Sequence, residues 1–496
     1  MRAALPAPLG AEAAARPTRF AAETAADGEL LDRLRDVCDD VSVADQARVE
    51  AGRDWWPLSA VWAVEGNVPA LPSAVARPAN AAQVAAVLET CNQAGVPVTP
   101  VAGASGVCGG SIPLFGGVSL DLTGLDGVID VDDASLLVEV RAGTFGQTLE
   151  DALRAEHALT LGHWPQSIAL STVGGWIACR GAGQYSTRYG KIEDMVVGLE
   201  VALADGRLIR TGGTAPRAAT GPDLTQLFVG SEGTLGVITA AKLRAHPMPA
   251  QERRAAYGFP DFEQGLDACR RILRRGATPA VLRLYDHSES ARNFEVETTA
   301  ALIVIDEGDP VLVDAGMTIV ADECRTAEPL DADLTDRWLA HRNQLPPLES
   351  LVRAGIVADT VEVSGSWRTL PRLYTSVVQD LRDIDGTIAA SAHQSHSYAD
   401  GACLYFTFAG RPGAKREDAE AYYRQAFDVV MAMTLRHGGA ISHHHGIGLN
   451  RGRHLRTYLG PTFDVLSAVK QALDGRGILN PGKLGLPTGF GTVWEE

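Results

Sequence analysis

No stretch of this 496-residue sequence is apolar for long enough to span a bilayer, so no transmembrane segment is expected. Cysteine is sparse as well. Its seven residues, Cys38, Cys91, Cys108, Cys179, Cys269, Cys324 and Cys403, are scattered, odd in number and free of any CxxC pair. That excludes a disulfide framework, argues against structural zinc and suits reduced thiols in a cytoplasm. Basic charge is in deficit: 44 Lys and Arg stand against 61 Asp and Glu, a formal net charge of -17. A nonspecific nucleic-acid or anionic-membrane surface is therefore excluded, and a small molecule is the expected partner. Internal repeats and low-complexity linkers are absent, and a homodimer is compatible with what remains. The first two dozen residues are rich in Ala and Arg but lack a continuous apolar run, which predicts a loosely docked extension rather than an address.

What the chain does have is three consecutive histidines, His443, His444 and His445, in a 442–448 segment with two glycines and no acid. Neighbouring side chains on one backbone diverge, so at most one or two are expected to reach a common pocket. Alone, such a run reads equally well as a solvated turn or an opportunistic metal tract; its setting gives it weight. With 46% hydrophobic and 21% charged residues the composition is globular, and the length suffices for two or three domains. The expected division is an N-terminal extension over 1–44, a first domain over 45–249, a second over 250–440 and a tail over 441–496. Helices are predicted over 81–94, 144–156, 262–275 and 462–473. Strands are predicted over 96–101, 118–122 and 135–140, with a hairpin of 196–204 and 207–211 turning on Asp205-Gly206.

Three clusters of small and hydroxylated residues punctuate the first domain. Pro100, Val101, Ala102, Gly103, Ala104, Ser105 and Gly106 follow a strand and let backbone N–H groups approach an anion such as a pyrophosphate. No GxGxxG fingerprint and no Gly-Lys-Ser/Thr is present there, so neither a Rossmann nor a triphosphate site is supported. Pro165, Ser167, Ser171, Thr172, Gly174, Gly175 and Trp176 form the second cluster. Glu232, Gly233, Gly236, Val237 and Ile238 form the third.

Together with residues 188–194, these clusters resemble the flavin-binding domain of the vanillyl-alcohol oxidase and para-cresol methylhydroxylase (PCMH) superfamily. The resemblance implies an α+β fold: a two-subdomain PCMH-type FAD-binding domain, a cap or substrate domain with an antiparallel sheet, and a C-terminal helical segment returning to the flavin. It also implies FAD, held noncovalently, since neither Cys108 nor Cys179 sits in an attachment motif.

Within the superfamily the chain is most similar to the alkyldihydroxyacetonephosphate synthases. The matching segments are 279–284 with Arg283, 400–406 with an acid/base Tyr405, and 442–448 with His443, His444 and His445. The likeness implies an FAD-dependent enzyme that uses flavin as hydride acceptor or covalent adduct partner on a small oxygenated substrate. The alternative is an FAD-dependent D-2-hydroxy-acid or alcohol dehydrogenase or oxidase. Those enzymes usually carry Gly-Glu-His-Gly, and a Gly-Asp-Gly-Asn segment ending in His where this chain has Tyr405, so no metal is expected.

Without the resemblance, Tyr405 reads as a packed strand aromatic and Arg283 as an ion-pair partner of Asp286. As a base, a tyrosine needs a cation such as Arg283 or an imidazolium to lower its pKa. Around 346–350, alignment puts Glu349 where the family grips a phosphate with arginine, with Arg342 or Arg353 as substitutes. A carboxylate there is expected to favour an unphosphorylated substrate.

Overall fold

The computed structural model describes residues 5–20, 24–213, 215–345, 347–413 and 415–493. Pro346, part of the aligned 346–350 segment, lies outside them. Near the start of the fold, Ala74–Ala76 and Val98–Val101 each pair in parallel with Val118–Asp121. Helix Ala81–Ala94 makes the crossover between the parallel strands Ala74–Ala76 and Val98–Val101, which flank Val118–Asp121 on either side. Asn80 caps its start by accepting from the Gln83 N–H, and Gly95, at φ +67°, ends it. Val41–Ser42, assigned above to the N-terminal extension, adds an antiparallel edge strand to this sheet, and helix Gly28–Val37 packs beside Ala81–Ala94.

A second sheet has five antiparallel strands in the order Val128–Asp132, Leu137–Arg141, Val237–Arg244, Val196–Ala202 and Leu208–Gly212. The helix predicted over 144–156 is shorter: an α-helix over Gly146–Ala152 widens into a π-turn over Leu153–His157, and Ala158 at φ +52° stops it.

The third sheet has seven antiparallel strands. They run Glu328–Leu330, Gln251–Phe259, Ala300–Gly308, Val281–Tyr285, Thr387–Ser397, Gly401–Gly410 and Val357–Ser366. Alternation divides its faces. Leu282, Leu284, Leu404, Phe406, Phe408, Val361 and Val363 bury one face in a core shared with helices Phe262–Arg274, Leu370–Arg382 and Arg416–Arg436. The register sets Arg283, His393, Tyr405 and Glu362 on the other face. A bulge between Gln394 and His396 shifts the register by one residue, so His396 lies opposite Cys403 while His393 lies opposite Tyr405. Both histidines thereby reach the polar face.

After helix Thr462–Leu473 the tail docks on the first sheet. Lys470 Nζ donates to the carbonyls of Thr234 and Leu479, and Leu479 bridges Val98. No helix among the described residues is long and apolar enough to cross a membrane.

Candidate active site

The three glycine-bearing loops meet. A methyl on Gly103 would sit 2.0 Å from the Leu170 carbonyl oxygen, and one on Gly233, at φ +72°, would sit 2.9 Å from Pro100 Cγ. Glycine is needed at both places for the loops to close on each other. Among the described residues, the backbone N–H groups of 103–107 have no backbone acceptor. Ser111 Oγ, Ser231 Oγ and Asn480 Oδ1 are buried nearby along the same loops and tail without a hydrogen-bond partner. A run of free donors with orphaned hydroxyls is what a phosphate-bearing cofactor requires, so these residues fit FAD.

The other candidates have local duties. Ser171 Oγ accepts from Trp176 Nε1 at 2.7 Å and donates to the Ser167 carbonyl at 2.9 Å. Thr172 Oγ1 caps helix Val173–Cys179 by accepting from Gly175 N–H at 3.3 Å. Trp176, Val237 and Ile238 bury their side chains in the core, Gly174 abuts Ala142, and Gly236 abuts Val201.

The histidine segment curls around one carboxylate. Glu362 Oε1 accepts the N–H groups of His443, His444 and His445 at 3.2, 3.2 and 2.9 Å, and the Ser442 hydroxyl at 2.9 Å. Arg451, 1% exposed, pairs with both oxygens of the wholly buried Glu362, and His445 Nδ1 lies 3.0 Å from Oε2. Burial alone would raise the Glu362 carboxyl, but Arg451 and His445 outweigh it and hold it well below the usual carboxylate range.

Because the backbone turns around this anion instead of extending, the three rings cluster, with centroids 5.1 Å apart for His443 and His444 and 4.4 Å for His444 and His445. His443 Nε2 lies 3.0 Å from Tyr398 OH, His444 stacks on Tyr405 at 5.8 Å, and Tyr405 OH is 3.4 Å from His445 Nε2. The same segment touches the cradle. Glu232 accepts the N–H groups of Ile447 and Gly448 at 2.5 and 2.8 Å, and a methyl on Gly446 would sit 3.3 Å from Cys179 Cβ.

Around Tyr405 the protein does not act as anticipated. Burial pushes its phenol above the ordinary tyrosine value, the Thr360 hydroxyl offsets this only in part, and Glu362 adds to it. Tyr405 is therefore a proton donor at neutral pH, not a phenolate. Burial lowers His443, to about 4, and holds His444 well below the ordinary imidazole value, so both rings are neutral.

Arg283 is not paired with Asp286. Its Nη2 meets His393 Nε2 at 2.7 Å, its Nε donates to Tyr285 OH at 3.1 Å, and its guanidinium lies 5.5 Å from the Trp338 ring. Arg342 shares that indole at 5.5 Å, lies 5.4 Å from Trp164 and 5.0 Å from Tyr185, and donates to Gln184 Oε1 at 3.1 Å. Among the described residues neither guanidinium has a carboxylate partner. Glu349 is not brought to this cluster: it lies half-buried on helix Leu348–Arg353, paired with Arg353 at 2.9 Å.

Behind Arg283, His393 Nδ1 meets Glu289 Oε2 at 2.7 Å. Burial would raise the Glu289 carboxyl, yet His393, Arg292 and Thr407 pull it down to about 2. A depressed carboxyl stabilises the fold above its unfolded value and loses that contribution as pH falls through the folded one. Stability is therefore expected to drop as pH goes from 4.5 towards 2. Denaturation curves at several pH values, compared with Glu289→Gln, check this: the variant should show a shallower drop.

Sequence reasoning missed Glu362, Arg451, Tyr398, His393, His396 and Glu289. Only the paired histidines of residues 393–396 offered a signal, and three-residue spacing on a regular strand would have put them on opposite faces.

Residues 72–212 match the family model for the FAD binding domain, and residues 248–484 match that for the C-terminal domain of FAD linked oxidases. The uncharacterized FAD-linked oxidoreductase YgcU of Escherichia coli (strain K12) is 31% identical over 433 residues, covering 84% of this chain and 89% of that protein. Alkyldihydroxyacetonephosphate synthase of Trypanosoma brucei brucei is 29% identical over 508 residues, covering 92% and 80%. A solved structure of alkyldihydroxyacetonephosphate synthase superposes with TM-score 0.76 at 24% identity, covering 93% of this chain and 86% of that one. One of p-cresol methylhydroxylase with substrate bound gives 0.74 at 18% identity, covering 94% and 99%. The fold is thus the α+β arrangement of these flavoproteins, and with a relative this similar across most of its length, the chain belongs to the FAD-linked oxidoreductases, enzymes with FAD as cofactor.

Proposed function

We propose that this enzyme has a synthase-like active site acting on a small, oxygenated, anionic substrate. The observation that carries the reading is the pair of guanidiniums, Arg283 and Arg342, set on one indole beside the Tyr405 and histidine cluster without a carboxylate to neutralise them. Arginines without a carboxylate partner, here the buried Arg283 and the partly exposed Arg342, bind carboxylate or phosphate through charge-assisted hydrogen bonds. With Glu349 already paired to Arg353, the electrostatic case against a phosphorylated substrate loses its contact.

Bound FAD supplies a two-electron acceptor or a covalent partner. The protein's own part is acid/base work and orientation. Tyr405 OH donates to the substrate oxygen, and His445, anchored by Glu362, exchanges a proton with Tyr405 through Nε2. His443 and His444 line the pocket with neutral rings. Tyr405 stands on the seven-stranded sheet, over 250–440 in the proposed division, and the histidines on the 442–448 segment of the tail, which contacts Glu232 in the cradle of 45–249.

The test is an anaerobic screen of the flavin absorption band against hydroxy acids, neutral alcohols and acyl ketone phosphates. Bleaching or a spectral shift with an anionic compound supports the proposal; response to uncharged alcohols alone defeats it. Oxidation of D-2-hydroxy acids is the second reading, which the same clamp favours because those substrates are carboxylates; net bleaching by them, without group exchange, would select it.

Two further results are expected. The purified protein should be yellow and release intact FAD on acid precipitation; flavin that stays with the precipitate would show covalent attachment. Arg342→Gln should raise KM for the anionic substrate about 10- to 100-fold with flavin content unchanged, since a hydrogen bond to a charged group is worth about 1.5–3 kcal/mol. Steady-state kinetics on the substrate found in the screen would check it.

A further inference from the structure

We propose that Asp54 stands beside the cofactor loop as a neutral acid that donates a hydrogen bond to the phosphate held there, so that FAD binds together with one proton from solvent. The proposal rests on the reading of residues 103–107 as the pyrophosphate cradle and adds a partner from outside its loops. Asp54 lies in the turn between helices Asp45–Ala51 and Pro57–Val64 and is 2% exposed. Its Oδ1 accepts the Trp56 N–H at 3.1 Å, just ahead of the second helix, while its buried Oδ2 has no hydrogen-bond partner. A methyl on Gly106 would lie 3.7 Å from that oxygen, which sets it against the loop whose N–H groups lack backbone acceptors.

A buried carboxyl oxygen without a partner is costly, and it points to a group that completes it. As a carboxylate, Asp54 would compete with a phosphate for the same N–H donors and repel it across a short, poorly hydrated gap. As an acid it adds a donor to the set. The surroundings favour the acid: burial pushes the carboxyl up to about 7, although the Trp56 N–H and Lys483 pull the other way. Neighbouring charges are engaged elsewhere. Lys483 Nζ donates to the Ile112 carbonyl at 2.7 Å and is itself lowered to about 7 by burial. Arg53 turns its Nη1 to the Pro6 carbonyl at 2.8 Å, and Glu232 accepts the N–H groups of Ile447 and Gly448.

Two negative groups in one low-dielectric pocket oppose each other's ionisation, so a phosphate arriving at the loop raises the Asp54 carboxyl further. One proton passes from solvent to Oδ2; no covalent bond to carbon or phosphorus changes and no electron moves. Below about 7 Asp54 already carries its proton, and FAD affinity is level. Above that value the proton must be taken up on binding, and affinity falls about tenfold per pH unit.

The experiment is equilibrium dialysis of FAD against the full-length protein on either side of pH 7, with free FAD read by its fluorescence, paired with calorimetry in buffers of different ionisation enthalpy to count protons. The unmodified protein should show the break near 7 and, above it, take up close to one proton per FAD. Asp54→Asn keeps an acceptor for the Trp56 N–H and presents an N–H where the acid has its O–H. It should therefore bind FAD at every pH as the unmodified protein does below the break, with no proton uptake. Affinity that is level across the break, or an unmodified protein that takes up no proton, would overturn the proposal, and this holds even if the variant fails to fold. A pH slope retained in Asp54→Asn would also overturn it, by moving the proton to Lys483. Gly103→Val tests the underlying reading, since its side chain would collide with the Leu170 carbonyl. If that variant binds FAD normally, the cradle and the role of Asp54 both fall; if it loses FAD while the unmodified protein takes up no proton, the cradle stands and only the role of Asp54 is lost.

Discussion

Tyr405→Phe is expected to keep its fold and its FAD while turnover falls by about a hundred- to ten-thousand-fold, the usual contribution of a general acid or base. The substitution removes one oxygen and leaves the ring. That ring stacks 4.9 Å from His393 and 5.8 Å from His444, and the flanking Leu404 and Phe406 face the opposite core, so packing is preserved. What disappears is the phenolic proton, which burial has made hard to ionise. Because the phenol titrates above its ordinary value, no loss of activity from Tyr405 ionisation is expected at or below neutral pH. Single-turnover flavin reduction, normalised to flavin content, measures the effect. A rate within a factor of two or so of the unmodified enzyme would return Tyr405 to the role of a packed aromatic.

Glu362→Ala should be the most damaging single change to the architecture of the site. It strands the Arg451 guanidinium in the interior and removes the acceptor of three successive backbone N–H groups. Breaking a buried ion pair by deleting one partner costs about 3–5 kcal/mol. The loss should be concentrated in residues 442–448, so hydrogen exchange is a sharper probe than global melting. The amides of His443, His444 and His445 are expected to exchange far faster in the variant, while those of strand Val237–Arg244 change little. Protection of the three histidine amides that survives the substitution would show that Glu362 does not organise the segment.

The parts of this molecule that could be read in advance were those whose chemistry is local. Glycine and hydroxyl clusters announce loops that approach an anion, because the residues that make the approach are adjacent in the chain. Tyr405 was legible only through the resemblance: the strand alone read as packed aromatics, although alternation in Leu404-Tyr405-Phe406 sets it on the face opposite its apolar neighbours.

Glu362 and Arg451 were not legible. They meet across 89 residues, and nothing near either one marks it as a partner of the histidines. His396 was hidden by the bulge, since a one-residue register shift reverses the face that spacing predicts. The clustering of the histidine rings was hidden for the same kind of reason, because its geometry is imposed by a carboxylate on a distant strand. Glu349 illustrates the converse: aligning the 346–350 segment with the family placed a charge near the substrate, whereas on helix Leu348–Arg353 it pairs with Arg353.

The docking of residues 470–483 on the first sheet also sets a timetable. Lys470 secures the Thr234 carbonyl, Asn480 Nδ2 donates to the carbonyls of Glu232 and Gly110, and Lys483 donates to that of Ile112. The loops between 100 and 236 that we propose hold the cofactor therefore receive part of their support from residues translated more than two hundred positions later. While those residues are still in the ribosome, the nascent cradle lacks its last hydrogen-bond partners. Flavin capture should consequently be a late event in biosynthesis, and stalled chains lacking the 470–483 segment should bind FAD weakly even though each of the three proposed cofactor loops has already emerged.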